Sequence, residues 1–269
     1  MKVYLSVDIE GVACVTTLKQ EPGDYERARK WMTAEANAAI EAAYESGATE
    51  VVVADSHGSM RNLLPDELHE DALLVQGSPR PLTMMEGLDG SFSAAFLIGY
   101  HSMSGTANGV MAHTYTGMVY ALRLNGIPLG ESGFNAAIAG HFGVPVALVS
   151  GDDTVDAEVG ALLPWTERVV TKWAISAWSA RNLTPKASQR RIREGAARAL
   201  RRLPEMKPFT LEQPIRFEVE LAPPYLSQIG ADIPGVERIG GRTLACTGAD
   251  MLEIVRIWRL ILNAGQGRI

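Results

Sequence analysis

The stretch VYLSVDIEG, residues 3–11, carries the pattern on which the fold depends. Its apolar residues predict a buried strand, and the strand ends by presenting two carboxylates, Asp8 and Glu10. The same order returns at residues 51–58, VVVADSHG, where an apolar run ends beside His57. Buried strands of parallel sheets have this form, because both of their faces are covered.

Strand-like and helix-like segments alternate through the first half of the chain. A helical pattern occupies residues 24–47, and further apolar runs at residues 94–98 and 146–149 predict buried strands. Residues 119–129 carry Asn-Gly at positions 125–126, a pair that favours hairpin turns. We therefore expect one mixed, largely parallel sheet that includes this hairpin.

After Pro164 the pattern changes. The segments that follow are a helix that begins at Pro185, strand-like stretches at 215–221 and 242–246, and an apolar helix at 250–262. The sequence thus predicts an α/β fold, with a mixed, largely parallel sheet flanked by helices and a smaller α+β C-terminal part. The expected domains are residues 1–164 and residues 165–269.

Composition restricts the classes of function. The chain has 269 residues, of which 46% are hydrophobic, and a formal net charge of -6, which offers no general attraction for nucleic acid. Its two cysteines, Cys14 and Cys246, cannot form a disulfide framework or a thiolate metal cage. We expect a cytoplasmic protein that binds neither nucleic acid nor membrane, since the sequence also shows no signal peptide or membrane span.

Polar residues at the strand ends predict a metal site. His101 follows another apolar run, in LIGYHS, just as His57 follows VVVADS. Because the carboxyl ends of parallel strands meet at one crevice, both histidines are expected near Asp8 and Glu10. Imidazole and carboxylate together suit Zn²⁺, with Mn²⁺ or Co²⁺ as alternatives. Asp8 and Glu10, two positions apart, leave an extended chain on the same face, where a carboxylate can bridge two cations.

Two further residues are candidates for this site. Glu131 stands at the apparent start of a helix in GESGFNAAIAG, where favourable interaction with the helix dipole is an alternative role. His113 lies in GVMAHTYTG, a loop segment between strands from which an imidazole can reach the crevice. An ordinary loop histidine, satisfied by its neighbours, is the alternative for His113.

Several segments, taken in order, resemble the DppA-type D-aminopeptidases: SVDIEG, NAAIEAAYESGATEVVVADSHGSMRNLLP, FLIGYHS, GESGFNAAIAGHFGVPVALVSGDD and KWAIS. The resemblance runs over at least residues 1–176. It implies a cytoplasmic, homodecameric aminopeptidase that uses two zinc ions per subunit to remove N-terminal D-amino acids from short peptides. It places the metal ligands at Asp8, Glu10, His57, His101 and Glu131, and a catalytic histidine at His113.

The mechanism expected from this resemblance is attack by metal-bound hydroxide, with Asp8 bridging the two zinc ions. His113 would stabilise the oxyanion or pass a proton to the leaving amine. Lys172 is either a partner for a substrate carboxylate or a surface lysine. The residues alone are compatible with two other functions. One is a metal-dependent phosphoesterase, and the other is a non-catalytic ligand-binding or cage protein whose metals only link the strand ends. The D configuration rests on resemblance only.

Overall fold

The computed structural model describes residues 1–17 and 23–265, which form two β-sheets and the helices packed on them. In chain order the first elements are β1 (Lys2–Val7), α1 (Asp24–Glu45), β2 (Glu50–Asp55), β3 (Leu73–Val75), β4 (Ala94–Tyr100), β5 (Val119–Leu124), β6 (Ile127–Pro128), α2 (Glu131–His141) and β7 (Val146–Asp152). The remaining elements are α3 (Asp153–Leu162), β8 (Glu167–Ser176), β9 (Ser179–Asn182), α4 (Pro185–Arg201), β10 (Ile215–Leu221), α5 (Pro224–Gly230), β11 (Glu237–Arg238), β12 (Thr243–Gly248) and α6 (Met251–Gly265).

The larger sheet has the strand order β3-β2-β1-β4-β7-β8-β9. All neighbouring pairs are parallel except β8 and β9, which are antiparallel. Alternate residues of β1 face opposite sides of the sheet. Val3 and Leu5 pack with α1 and α4 on one side, whereas Tyr4 contacts the core on the other side. Both faces of this sheet are therefore covered.

The smaller sheet is antiparallel, with the order β11-β12-β10-β5-β6. Its core is shared with α2 and α6, because Trp258 of α6 lies against Phe217 of β10 at 5.7 Å and against Phe134 of α2 at 6.4 Å between ring centroids. Edge-to-face and tilted aromatic contacts of this kind add to the free energy of burial. The two sheets thus share one continuous core, with α2 between them.

The predicted fold class is confirmed: the main sheet is mixed, largely parallel and flanked by helices. We expected the hairpin at residues 119–129 to belong to this sheet, and that prediction was wrong. The hairpin pairs with β10 in the smaller sheet. The antiparallel pair of the main sheet is β8 with β9. An Asn-Gly turn determines the hairpin, but it does not determine which sheet the hairpin joins.

The predicted domain boundary at residue 164 does not coincide with the division between the sheets. Strands β8 and β9 follow this boundary and complete the larger sheet, whereas β5 and β6 precede it and belong to the smaller one. Among the helices of the described residues, none combines the length and apolar character that crossing a membrane requires.

Candidate metal centre

Adjacent strands bring the predicted ligands together. Strand β1 lies between β2 and β4, and all three are parallel, so their carboxyl ends share one edge of the sheet. Asp8 follows β1, His57 follows β2 and His101 follows β4. Asp8 and His101 are almost fully buried, with 2% and 1% of their surfaces exposed. The side chains that the sequence predicted at a common crevice therefore lie at one edge of the sheet.

The side chains converge within ion-pair distance. Nδ1 of His57 lies 3.3 Å from Asp8 Oδ1 and 3.0 Å from Glu10 Oε2. Nε2 of His101 lies 3.5 Å from Asp8 Oδ2 and 3.4 Å from Glu131 Oε1. Asp8 therefore contacts both histidines, one with each carboxylate oxygen.

His113 and Glu131 complete the cluster. Nε2 of His113 lies 3.9 Å from Glu10 Oε1 and 3.7 Å from Glu131 Oε1. Glu131 is the first residue of α2, so the helix dipole also favours its negative charge. The same carboxylate accepts a hydrogen bond from the backbone N–H of Tyr115 at 2.6 Å. This bond ties the His113 loop to the start of the helix.

Two of the histidines are oriented by backbone carbonyls. Nδ1 of His101 donates to the carbonyl of Ser102 at 3.0 Å, and Nδ1 of His113 donates to the carbonyl of Met111 at 2.8 Å. These bonds keep the proton on Nδ1 and leave Nε2 unprotonated in the neutral ring, facing the carboxylates. Metal-binding histidines are commonly held by an outer hydrogen bond of this kind.

The charges of the cluster are strongly perturbed. Burial raises the pKa of Asp8 well above its usual range, and the neighbouring Glu10 carboxylate raises it further. Burial also opposes ionisation of Glu10, but the imidazoles of His57, His101 and His113 together outweigh this effect and lower the Glu10 pKa. Burial disfavours the charged form of His57. The facing carboxylates outweigh burial, with Glu10 contributing most, and the His57 pKa is well above its normal value. Opposed shifts of this kind are typical of functional sites.

The donor set fits zinc. Asp8 Oδ2, Glu10 Oε2 and His101 Nε2 are buried atoms without a hydrogen bond, a state that calls for a partner of another kind. Three groups could each place three ligand atoms within 4.8 Å of one another: Asp8 with Glu10 and His57, Asp8 with His101 and Glu131, and Glu10 with His101 and His113. Imidazole nitrogens and carboxylate oxygens are suitable Zn²⁺ ligands. Asp8 belongs to two of the three groups.

A glycine allows the carboxylate loop to approach β4. The N–H of Gly11 donates to the carbonyl of Gly99 at 2.7 Å. A Cβ atom at position 11 would lie 1.9 Å from the carbonyl oxygen of Tyr100, too close for any side chain. Tyr100 directly precedes His101, so the close contact at Gly11 sets the distance between the loop of Asp8 and Glu10 and the end of β4.

Lys172 does not have either of its predicted roles. It is completely buried in β8, and its Nζ donates to the backbone carbonyls of Glu10, Val12 and Val15, the bond to Val12 measuring 3.1 Å. Its Nζ is thus directed at loop carbonyls and is not exposed, because the loop folds over the end of β8. Burial lowers the Lys172 pKa to about 8.

Glu35 of α1 holds the same loop from another direction. Its Oε1 accepts hydrogen bonds from the N–H of Ala13 at 3.0 Å and from the hydroxyl of Ser188 at 2.7 Å. Burial raises the Glu35 pKa to about 7. Sequence reasoning missed Glu35, since nothing in its helical context distinguishes it from a surface carboxylate.

Asp55, also missed, supports the His57 loop. Its carboxylate accepts hydrogen bonds from the backbone N–H of Leu63 at 2.6 Å and from Nδ2 of Asn62 at 2.9 Å. Asn62 in turn donates to the carbonyl of His57 at 2.6 Å. The position of Asp55 at the end of a strand was the available signal. In this structure the carboxylate binds loop amides, and it is not among the clustered metal-type donors.

A cavity of about 210 Å³ opens beside the cluster. Asp8, His57, His113 and Glu131 line it together with apolar residues such as Met60 and Met84. This volume lies below the roughly 300–1,000 Å³ of pockets that enclose drug-sized ligands. The structure thus brings all six predicted site residues to one place, beside room for a small ligand. Their individual roles stay predictions.

The comparisons with known proteins agree with this geometry. A family described as D-aminopeptidase matches residues 1–260. A D-aminopeptidase of Bacillus subtilis (strain 168) is 38% identical over 260 residues, which cover 94% of this chain and 93% of the relative. The solved structure of the "Zn-dependent D-aminopeptidase DppA from Bacillus subtilis, a self-compartmentalizing protease" superposes with a TM-score of 0.95 at 36% identity, covering 99% of this chain and 98% of that one. The chain therefore belongs to the D-aminopeptidase family of metallopeptidases.

Proposed function

We propose that this protein removes the N-terminal D-residue from short peptides, using two zinc ions per subunit held by Asp8, Glu10, His57, His101 and Glu131. The observation that carries the dinuclear proposal is the position of Asp8. Its two oxygens face different histidines, His57 and His101, and it belongs to two overlapping groups of three donors. A carboxylate with one oxygen on each side of the cluster could contribute to the binding of two adjacent cations.

Zinc, when bound, supplies a Lewis acid and a water molecule of lowered pKa. The chain's own residues supply the surroundings in which this chemistry occurs. The carboxylates of Asp8, Glu10 and Glu131 would balance most of the positive charge of two zinc ions, and zinc held there would accept an uncharged N-terminal amine as a ligand. Binding of a free N-terminal amine is consistent with action at the first peptide bond.

We propose that His113 acts on the peptide as a catalytic residue. Its side chain is 26% exposed, more than His57 at 14% or His101 at 1%, and it lines the cavity. Its hydrogen bond to Met111 orients Nε2 towards the cluster. In its imidazolium form, which carries a proton on Nε2 as well as on Nδ1, this side chain can donate to a developing oxyanion or protonate the leaving amine. The third donor group, which includes His113, favours a ligand role as the alternative.

The D configuration and the short peptide length are also proposals. The relative of known structure is described as a zinc-dependent D-aminopeptidase, which supports the configuration. The modest volume of the cavity supports short substrates.

We further propose a cytoplasmic homo-oligomer, a decamer. The structural relative is described as a self-compartmentalizing protease, which supports assembly of several copies. Ile175 and Trp178, at the turn between β8 and β9, are 62% and 65% exposed, and apolar side chains of this kind are often buried between subunits. Light scattering that gives a stable monomer of 29.0 kDa would contradict the assembly. Cell fractionation tests the location.

The central test is hydrolysis measured together with metal content. Purified, zinc-loaded protein is incubated with D-Ala-D-Ala, with L-Ala-L-Ala and with p-nitrophenyl phosphate. We expect release of D-alanine from the first substrate, slower cleavage of the second, and no hydrolysis of the phosphate ester. Faster cleavage of the L-dipeptide would refute the D preference, and hydrolysis of the phosphate ester alone would favour a phosphoesterase.

A further inference from the structure

Arg259 of α6 lines the same cavity as the cluster at the strand ends. It shares one helical face with Leu262 and Asn263, three and four residues further along, and both of these also line the cavity. Helix α6 contributes none of the clustered donors. The cavity wall therefore contains a cationic side chain that comes from a different part of the fold.

Arg259 is available to a ligand. Within residues 1–17 and 23–265, its guanidinium forms no hydrogen bond, ion pair or cation–π contact, although the side chain is half-buried. Arg80, the other arginine of the cavity wall, is different. Its guanidinium donates to the carbonyls of Asp55 at 2.8 Å and Val75 at 2.9 Å, and only 6% of the residue is exposed. Arg80 therefore links two backbone segments through its hydrogen bonds, whereas the Arg259 guanidinium has no such partner within the described residues.

The cavity offers a partner for each end of a short peptide. Asp8 and Glu131 line it at the candidate metal centre, where zinc would accept a free peptide amine as a ligand. A guanidinium presents paired N–H donors in the geometry that a carboxylate accepts. A small cavity with a candidate zinc site at the strand ends and an unpaired arginine from α6 suits a molecule that carries both an amine and a carboxylate.

We propose that Arg259 binds the C-terminal carboxylate of the peptide substrate, so that the site selects peptides short enough to reach both Arg259 and the strand-end cluster. This inference rests on the proposed aminopeptidase function and extends it to a residue that determines substrate length and end group. Dipeptides with a free carboxylate are the substrate class that fits. Peptide amides and longer peptides lack a carboxylate at the required position.

The test compares D-Ala-D-Ala with D-alanyl-D-alaninamide, which differs only at its C-terminal end. Arg259→Met keeps most of the aliphatic stem and removes the charge. We expect kcat/KM for D-Ala-D-Ala to fall by roughly 10- to 100-fold, mainly through KM, as for loss of a charge-assisted pair. The amide should change less than about threefold. Arg259→Lys should restore part of the preference for the free acid.

Arg256→Met is the matched control, since Arg256 is an exposed residue of the same helix and does not line the cavity. Arg256→Met should leave kcat/KM unchanged for both D-Ala-D-Ala and D-alanyl-D-alaninamide. An equal loss on acid and amide in Arg259→Met, or equal use of both substrates by the unmodified protein, would overturn the proposal.

Failure of the proposed function gives a different result, in which the unmodified protein hydrolyses neither substrate. Calorimetric titration of the zinc-loaded protein with each compound then decides the role of Arg259. Tighter binding of the acid than of the amide, lost in Arg259→Met, supports the carboxylate site. Equal binding or no binding by the unmodified protein and the variant refutes it.

Discussion

The imidazole rings of His101 and His113 are stacked, with centroids 4.2 Å apart and planes inclined by 12°. His101 is buried and follows a strand, whereas His113 belongs to a loop and reaches the cavity. The stacked rings hold both Nε2 atoms near Glu131. Two histidines with stacked rings thus occupy one site in different environments, and substitution can separate their roles.

Replacement of His113 should impair catalysis without loss of metal. We expect His113→Ala to keep the fold and both zinc ions, and to lower kcat by about 10²–10⁴-fold, the range for a lost general acid or oxyanion donor. Steady-state kinetics and elemental analysis on the same preparation measure both effects. Loss of one zinc would instead make His113 a ligand, and full activity would make it an ordinary loop residue.

Replacement of either strand-end histidine should remove metal. Elemental analysis of the dialysed unmodified protein should give close to two zinc ions per subunit, and His57→Ala or His101→Ala should give less, with activity falling in parallel. His141→Ala is a suitable control, because His141 ends α2 away from the cluster. A zinc content near zero in active, unmodified protein would rule out the dinuclear site.

A single added methyl group at Gly11 should disturb the same site. In Gly11→Ala the new Cβ would overlap the carbonyl of Tyr100, so the loop that carries Asp8 and Glu10 must move away from His101. We expect lower zinc content and a lower Tm by calorimetry. Gly117→Ala serves as the control, since a Cβ atom there meets nothing within 4 Å. Unchanged zinc binding in Gly11→Ala would show that this contact does not position the ligands.

Glu35 should make stability depend on pH. Its pKa rises on folding from the usual 4.5 to about 7, so the folded state retains a proton that the unfolded state loses. The resulting stability is complete below about pH 4.5 and disappears as the pH rises through 7. Relative to Glu35→Gln, the unmodified protein should lose about 2–4 kcal/mol of unfolding free energy over this range.

Urea unfolding of both proteins at several pH values measures this difference. The comparison cancels contributions from titrating groups that do not interact with Glu35, whereas the charge of Lys172, which approaches the same loop from β8, lowers the Glu35 pKa and is part of the measured difference. Glu35→Gln keeps an oxygen to accept from Ala13 and Ser188. Parallel stability profiles for the two proteins would mean that Glu35 ionises in the folded state as readily as in water.

The strand-end pattern predicted most of the candidate site because it depends on local sequence. An apolar run followed by Asp8 or His57 indicates both a buried strand and the edge at which it ends. Lys172 could not be understood in this way, since its partners lie 157–162 residues away in the chain and its burial depends on how the loop after β1 folds.

Arg259 escaped sequence reasoning for a related reason. Its helix was predicted as an apolar closing element, but its position beside the cavity follows from the packing of α6 on α2 and the smaller sheet. The family and the enzyme class, in contrast, were predicted from the order of several conspicuous segments, and the comparisons confirm them. Local patterns predict strand ends, whereas contacts between distant elements require the tertiary structure.

Each of the two sheets takes strands from both sides of residue 164, so the molecule cannot be cut there into two complete sheets. A fragment that ended at residue 164 would leave β7 with an open edge and β5 without its partner β10. It would also lose α6, and with it one wall of the cavity. A fragment that started at residue 165 would carry β8 and β9 without the sheet that they complete. Split halves should therefore fail to work as independent modules.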